Sequence, residues 1–443
     1  MKRTILALAL AAVSSTALAA EKKPSPMPDV KQWALPNGLK VVFVADHKAP
    51  VVTVQVFYHV GGKDEPADKR GIAHMFEHMM FKGSRHVPPE AHARFIDGVG
   101  GNENAFTADD VTGYHDTVPP SALDFTFKLE AERMRNLELT QKTINSEREV
   151  VKEELRVRLE NNPVMKAVDK VLHLAYTVHP YRQFPIGEKK MLDTVTVDDC
   201  KKFYDMFYRP NNATLIVVGD TDEATVRALA DQYFAPLERG PEPVRPKLPE
   251  PPQDAERTAT LSLPVQLPVV VGAYHIGPGT DEDVYALEVL QQILSSGESS
   301  RLYQRLVRKD KTAVFAGGFV YDHEDPGLFI TFAAYLPGGD PNKVQAGITD
   351  EIDRVTSKEV SADELAKAKN QLAARAVYRR ERVSEIATQI GVDGAVAHDP
   401  THAFTAAAKY DAITVGDVLR VAKKYLTKAN HSLVMLEPKG GSK

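Results

Sequence analysis

Cysteine occurs once in this chain, at Cys200. A lone thiol excludes an intramolecular disulfide framework and a thiolate-rich metal cluster, so any metal site must use histidine and carboxylates. Beyond the N-terminal segment no apolar run is long enough to span a bilayer, and no membrane anchor is expected. Positive charge is not in excess either. Lys and Arg number 55 against 60 Asp and Glu, a formal net charge of −5, whereas nucleic-acid binders are basic, so no nucleic-acid partner is expected. What is present is the 43% hydrophobic and 26% charged content of a globular protein. A length of 443 residues exceeds what one core organises and implies two to three domains.

Residues 1–19 carry Lys2 and Arg3, then an apolar run from Ile5 to Val13, and end in Ala17-Leu18-Ala19. That is the pattern of a secretory signal peptide, and the run is too short for a spanning helix. No cysteine follows the cleavage site, so no lipid anchor is expected there. The mature chain, from residue 20, is expected to be exported, and periplasmic in a cell with an outer membrane.

The stretch from Gly240 to Pro252 holds six prolines, which deny both helix and sheet ladders. It marks a linker over 240–254 between an N-terminal domain, 20–239, and a C-terminal domain, 255–443. The halves end alike: Asp193-Thr-Val-Thr-Val-Asp-Asp199 aligns without gaps with Asp411-Ala-Ile-Thr-Val-Gly-Asp417, and Asn212 to Val218 with Asn430 to Leu436. Each copy reads as a capped helix followed by a strand, which points to an internal repeat of two related α+β domains. In the first half, Leu39–Ala45 and Val51–Val60 are rich in β-branched residues and predict strands forming a hairpin. Helical periodicity follows near 68–82, 88–98, 120–137 and 146–161, which favours α+β over an alternating parallel sheet.

The sharpest signal is His74-Met-Phe-Glu77-His78. On a helix the two imidazoles lie about 40° apart on one face with Glu77 beside them. They can share one zinc ion with bonds of about 2.0–2.1 Å, and Glu77 can take a proton from an attacking water. This order is the inverted zincin motif. It needs a third protein ligand and an open position. The segment Ser146 to Arg156 is the place to look. Ser146 and Glu149 form a capping box that predicts a helix start, and Glu147 and Glu154, two turns apart, stack on one face while Glu153 points away. Taken alone, the same segment also reads as a solvated, charged helix. The nearby histidine motif favours the ligand reading.

These residues resemble the M16 family of zinc metallopeptidases, subfamily B, which includes mitochondrial processing peptidase and short bacterial enzymes. The likeness runs through Leu35-Pro-Asn-Gly-Leu-Lys-Val41, Gly71 to Gly83, Asn104-Ala-Phe-Thr107, Glu147 to Glu154 and Arg209-Pro-Asn-Asn-Ala-Thr214. It implies two homologous α/β-sandwich domains and one zinc per chain, held by His74, His78 and Glu154. It also implies Glu77 as general base and Glu147 as an accessory carboxylate. Substrate is expected to add as a strand along Asn104, Ala105 and Phe106.

The second half departs from that pattern. Aligning Gly297 with Gly83 puts Glu288, Gln291 and Gln292 where His74, Glu77 and His78 stand, so no second metal site of this kind is expected. Complete family members carry an Arg and a Tyr seven residues apart there. This chain offers Arg308 with Phe315, or Val307 with Val314, and neither keeps the pair. The resemblance therefore implies a second M16-like subunit supplying Arg and Tyr in a heterodimer, or other donors in a homodimer. The expected activity is zinc-dependent endopeptidase action on peptides. The alternatives are a non-catalytic peptide-binding or scaffold subunit, and a zinc-binding protein without turnover. Cys200 aligns with Val418 and is expected to be a core thiol.

Overall fold

A computed structural model describes residues 28–439, so the expected signal peptide lies outside the described residues. The first half contains β1 (Val30–Ala34), β2 (Lys40–Ala45), β3 (Val52–Tyr58), α1 (Ile72–Met79), α2 (Ala91–Gly98), β4 (Asn102–Thr107) and β5 (Thr112–Val118). It continues with α3 (Leu123–Asn136), α4 (Gln141–Leu155), α5 (Pro163–Ala175), α6 (Lys189–Leu192), α7 (Val197–Phe207), β6 (Ala213–Gly219) and α8 (Glu223–Tyr233). The second half contains β7 (Arg257–Leu263), β8 (Val269–His275), α9 (Asp283–Ser295), β9 (Phe315–Tyr321) and β10 (Leu328–Ala334). It ends with α10 (Pro341–Ser357), α11 (Ala362–Tyr378), α12 (Val383–Val396), α13 (His402–Ala412), α14 (Val415–Tyr425) and β11 (His431–Pro438).

The strands form two sheets, ordered β1-β2-β6-β3-β5-β4 and β7-β11-β8-β10-β9. Apart from β1 the second repeats the first. β2 lies parallel to β6 as β7 lies parallel to β11, and the remaining neighbours are antiparallel in both. The repeat expected from sequence is thus carried by whole sheets, in an α+β arrangement. The expected β2–β3 hairpin does not form. β6 inserts between them, pairing Val42 with Ile216 on one side and Gln55 with Ile216 on the other. β3 is buried along its full length and β2 over Val41–Val44, so both accept a neighbour on each edge, a demand the local turn cannot express.

One face of the first sheet packs against α1, α3, α7 and α8 through Phe76, Phe127, Phe203 and Val226. The opposite face, Val42, Val44, Ile216 and Val218, is covered by Ile386, Ala387 and Ile390 of α12, which comes from the second half. The exchange is reciprocal: α5 of the first half sets Ala167 and Val171 on Val271, Ile330 and Val434 of the second sheet. Each full burial of such an apolar side chain contributes about 1.5–3 kcal/mol, so the two halves share cores rather than merely touch. A methyl group added at Gly391 of α12 would overlap the Phe57 ring, which is why glycine stands there.

The proline-rich stretch forms neither helix nor strand, yet it is tied down. Glu250 accepts bonds from the amides of Thr177 (2.7 Å), Val178 (2.8 Å) and His179 (2.9 Å), and Arg245 bonds the His59 carbonyl. Helix α4 starts earlier than the Ser146 box predicts. Thr140 is the N-cap, accepting from the Thr143 amide at 3.2 Å, and Ser146 lies inside the helix. The buried face begins at Ile144 and continues through Glu147, Val151 and Leu155, so packing extends the helix a turn beyond the local capping signal.

Candidate metal centre

Helix α1 starts at Gly71, whose φ of +98° suits glycine, and its first amides are held from outside. The buried Glu65 carboxylate accepts from Gly71 N at 2.9 Å and from Ala73 N at 2.8 Å, satisfying donors that an α-helix leaves free. Ile72, Met75, Phe76 and Met79 turn into the core. The opposite face presents His74, Glu77 and His78. Helix α4 crosses that face and brings Glu147 and Glu154 to it, as their two-turn spacing requires.

Glu154 stands between the imidazoles: its Oε1 is 3.8 Å from His74 Nε2 and its Oε2 is 3.3 Å from His78 Nε2. Glu77 Oε2 is 4.0 Å from His74 Nε2, and Glu147 Oε2 is 3.6 Å from His78 Nδ1. Ligand atoms of His74, His78 and Glu154 all lie within 4.8 Å of one another. Zinc bonds near 2.1 Å at tetrahedral angles place ligand atoms about 3.4 Å apart, so this donor set fits zinc with little rearrangement. Burial, with the charges of His78 and Arg158, pushes His74 down to about 3, leaving a neutral imidazole. Its buried Nδ1 has no hydrogen-bond partner. Burial also lowers His78, but Glu147, Glu154 and Glu77 outweigh it and leave it raised. Arg158 binds Glu154 Oε1 at 2.9 Å. His2Glu suits other divalent ions as well as zinc.

Beside this cluster runs β4, the outer strand of its sheet. Thr107 donates its hydroxyl to Glu77 Oε2 at 2.7 Å. Burial raises the Glu77 carboxyl, with the Thr107 bond pulling the other way. A cavity of about 520 Å³ opens here, lined by His74, Glu77, His78 and Glu154 on one side and Asn104, Ala105 and Phe106 on the other. Its remaining walls come from the same half, Thr107 to Ile186, so neither Arg308 nor Phe315 reaches it within one chain. Arg308 bonds Glu298 at 2.8 Å and Phe315 begins β9 with its ring half-exposed.

All the expected metal and catalytic residues therefore converge. Two contributors were missed. Thr107 is two residues from Ala105 on the same strand face, a period-2 signal that could have found it. Glu65 sits in a loop with no local pattern to mark it. A second group, His92, Glu103 and Asp116, also brings ligand atoms together, but His92 and Asp116 already bond at 3.0 Å and Arg133 shares that buried space. Cys200 is buried on α7, where burial pushes its thiol up to about 12, as a core residue requires.

Residues 40–184 match the family described as Insulinase (Peptidase family M16), and residues 194–372 match the Peptidase M16 inactive domain. The zinc protease PqqE of Helicobacter pylori is 32% identical over 420 residues, covering 93% of this chain and 94% of that protein. A probable mitochondrial-processing peptidase subunit beta of Arabidopsis thaliana is 24% identical over 422 residues, covering 93% of this chain and 79% of that one. Among solved structures, a protease from Helicobacter pylori superposes with a TM-score of 0.89 at 31% identity, covering 93% of this chain and all of that one. The periplasmic protease PqqL of Escherichia coli shares the fold, with a TM-score of 0.78 at 18% identity, over 95% of this chain and 49% of its own. The chain belongs to peptidase family M16.

Proposed function

We propose that this chain is an exported, zinc-dependent endopeptidase that hydrolyses peptides, working in the periplasm where the cell has one. The observation that carries the reading is the meeting of His74, His78 and Glu154 with Glu77 alongside, at the open edge of β4. The relatives named zinc proteases support it.

His74, His78 and Glu154 hold one zinc, and Glu147, against His78 Nδ1, orients that ring. A zinc ion held there would supply Lewis acidity to the attacking water and the scissile carbonyl. Substrate adds as a strand to β4 along Asn104, Ala105 and Phe106, so recognition is mainly of main chain and tolerates varied side chains. Glu77, fixed by the Thr107 hydroxyl, takes the proton of the attacking water and passes it to the leaving amine. Among the described residues none of the second half lines the cavity, and the second half lacks the Arg/Tyr pair; the oxyanion donors are therefore assigned to a second M16-like subunit carrying that pair, in a heterodimer.

The test is cleavage of a mixed, unstructured peptide pool by the zinc-loaded mature chain, read by mass spectrometry, with Glu77→Gln as control. Glu77-dependent products establish the peptidase. A zinc-loaded chain that stays silent even with its co-purifying partner overturns it in favour of a non-catalytic subunit. An active native particle containing one polypeptide overturns the heterodimer.

A further inference from the structure

The two halves repeat each other closely enough to compare their sites residue by residue. Helix α4 is capped by Thr140 and α11 by Ser361, each through a capping box. Counting from these caps, Arg375 occupies the position of Glu154. On the facing helix, α9, Glu288, Gln291 and Gln292 take the places of His74, Glu77 and His78. The contacts repeat too: Arg375 Nη2 lies 3.2 Å from Gln292 Oε1, where Glu154 Oε2 lies 3.3 Å from His78 Nε2. Beside them runs β9, the outer strand of the second sheet, as β4 runs beside the first site. The counterpart of the metal site thus keeps its layout and changes its chemistry: a guanidinium replaces the ligand carboxylate, Gln292 and the carboxyl of Glu288 replace the two imidazoles, and Gln291 replaces the carboxylate of Glu77.

This second site is also a cavity of about 520 Å³, lined by Arg375 of α11 and by Arg379, which caps the C-terminal end of that helix, by Gly318, Phe319 and Val320 of β9, and by Glu288 beneath. Arg375 and Arg379 are one helical turn apart and share a face. Among the described residues their side chains bond neutral groups only: Arg375 donates to Gln292 Oε1 and to Ser296 Oγ at 3.3 Å, Arg379 to Gln389 Oε1 at 3.0 Å. Among the described residues neither is paired with a carboxylate, and both face solvent. The acidic groups of the lining are engaged elsewhere or outward. Glu288 accepts from the Tyr410 hydroxyl and burial pushes it up to about 7, Asp393 accepts from Gln389 at 2.7 Å, and Asp322 is exposed. Gln291 donates to the Gly318 carbonyl at 2.7 Å and holds β9 against the helix.

We propose that this second site binds the carboxylates of acidic peptide segments, seated by Arg375 and Arg379 beside the edge of β9. The planar fork of each guanidinium matches a carboxylate, and a cavity of this size holds side chains rather than a single small ion. The proposal deepens the peptidase reading, on which it rests: the second half anchors an acidic stretch of substrate while the first half cleaves.

The experiment uses the mature chain carrying Glu77→Gln, so that peptides stay intact, and fluorescence anisotropy of a labelled extended peptide with three consecutive glutamates against its glutamine analogue. Two exposed guanidinium–carboxylate contacts predict about fivefold tighter binding of the glutamate peptide at low ionic strength, lost at high salt. Arg375→Gln with Arg379→Gln is expected to abolish the preference. The same pair on the otherwise unaltered chain should leave zinc content and cleavage of the glutamine peptide unchanged. Both arginines are exposed, so folding should be unaffected, and Arg379→Gln alone, expected to halve the preference, is the independent check. Equal affinity for the two peptides, a preference surviving in the double variant, or full displacement of the glutamate peptide by stoichiometric inorganic phosphate would each overturn the proposal. Failure of the peptidase reading registers separately, as absence of Glu77-dependent cleavage of either peptide.

Discussion

Asp110, on the turn between β4 and β5, lies 3.1 Å from His323 on the turn between β9 and β10, joining the edge hairpins of the two halves. Lys63 adds a 2.8 Å contact to the same carboxylate, and the Tyr181 hydroxyl donates to it. Burial opposes the charged form of each group. Yet His323 and Lys63 hold Asp110 well below the usual carboxylate range, and the bond that the His323 ring donates to Asp110, with the charge of Asp109, keeps His323 above 6.5. His323 therefore stabilises fully below pH 6.5, and its contribution is lost as pH rises through its raised folded value. Asp110 contributes fully above 3.8 and loses its share as pH falls. The contribution of this pair should be greatest between about 4 and 6.5, measured as the difference in thermal unfolding against pH between the unaltered chain and His323→Asn, a difference that shrinks above that range. Asp110→Asn removes the buried carboxylate shared by Lys63 and His323, while Lys63 keeps Glu324 and Asp325, and should cost about 1–3 kcal/mol in denaturant unfolding.

Glu65 holds the start of the helix that carries both histidines. Removing its carboxylate in Glu65→Ala leaves two buried amides unsatisfied, an expected cost of about 2–4 kcal/mol by urea unfolding. Because His74 follows one residue after the second of these amides, zinc affinity measured by chelator competition should fall about tenfold.

Thr107 acts on Glu77 alone. Thr107→Val keeps the shape of the strand and removes the 2.7 Å bond. Steady-state kinetics on a cleaved peptide should show kcat reduced about tenfold with KM and zinc content unchanged. A matching rise in KM would assign Thr107 to substrate binding instead.

Gly391 measures how closely the halves are joined. In Gly391→Ala the new methyl meets the Phe57 ring, and α12 must lift from the first sheet, an expected cost of about 1–3 kcal/mol. Phe57→Leu in the same chain should recover part of that loss, whereas additive effects in the double-mutant cycle would show that the contact is not the cause.

Much of the site could be read before any fold was known, because its parts lie within single helices. Offsets of three positions from His74 to Glu77, and of seven from Glu147 to Glu154, decide which side chains share a face wherever the helix is placed, since helical geometry depends only on neighbouring backbone. The repeat was legible for the same reason: capped helices leading into strands leave the same local signature at Thr196 and Thr414, both of which form capping boxes. Family likeness, not spacing, supplied the link from α1 to Glu154.

Other features depend on groups that meet only after long loops close. No turn residue between Ala45 and Val52 could reveal that β6, more than 160 residues later, takes the place between β2 and β3. Nor could Ile386 and Ile390 announce that they cover the opposite half's sheet, since an apolar helix face records that it must be buried and not against what. Glu65 on the amides of α1, Asp110 against His323, and Arg375 standing where Glu154 stands in the other half are likewise matters of tertiary closure. Hydrophobic burial, which carries no direction of its own, brought these polar groups together, and hydrogen bonds between groups already adjacent set their distances.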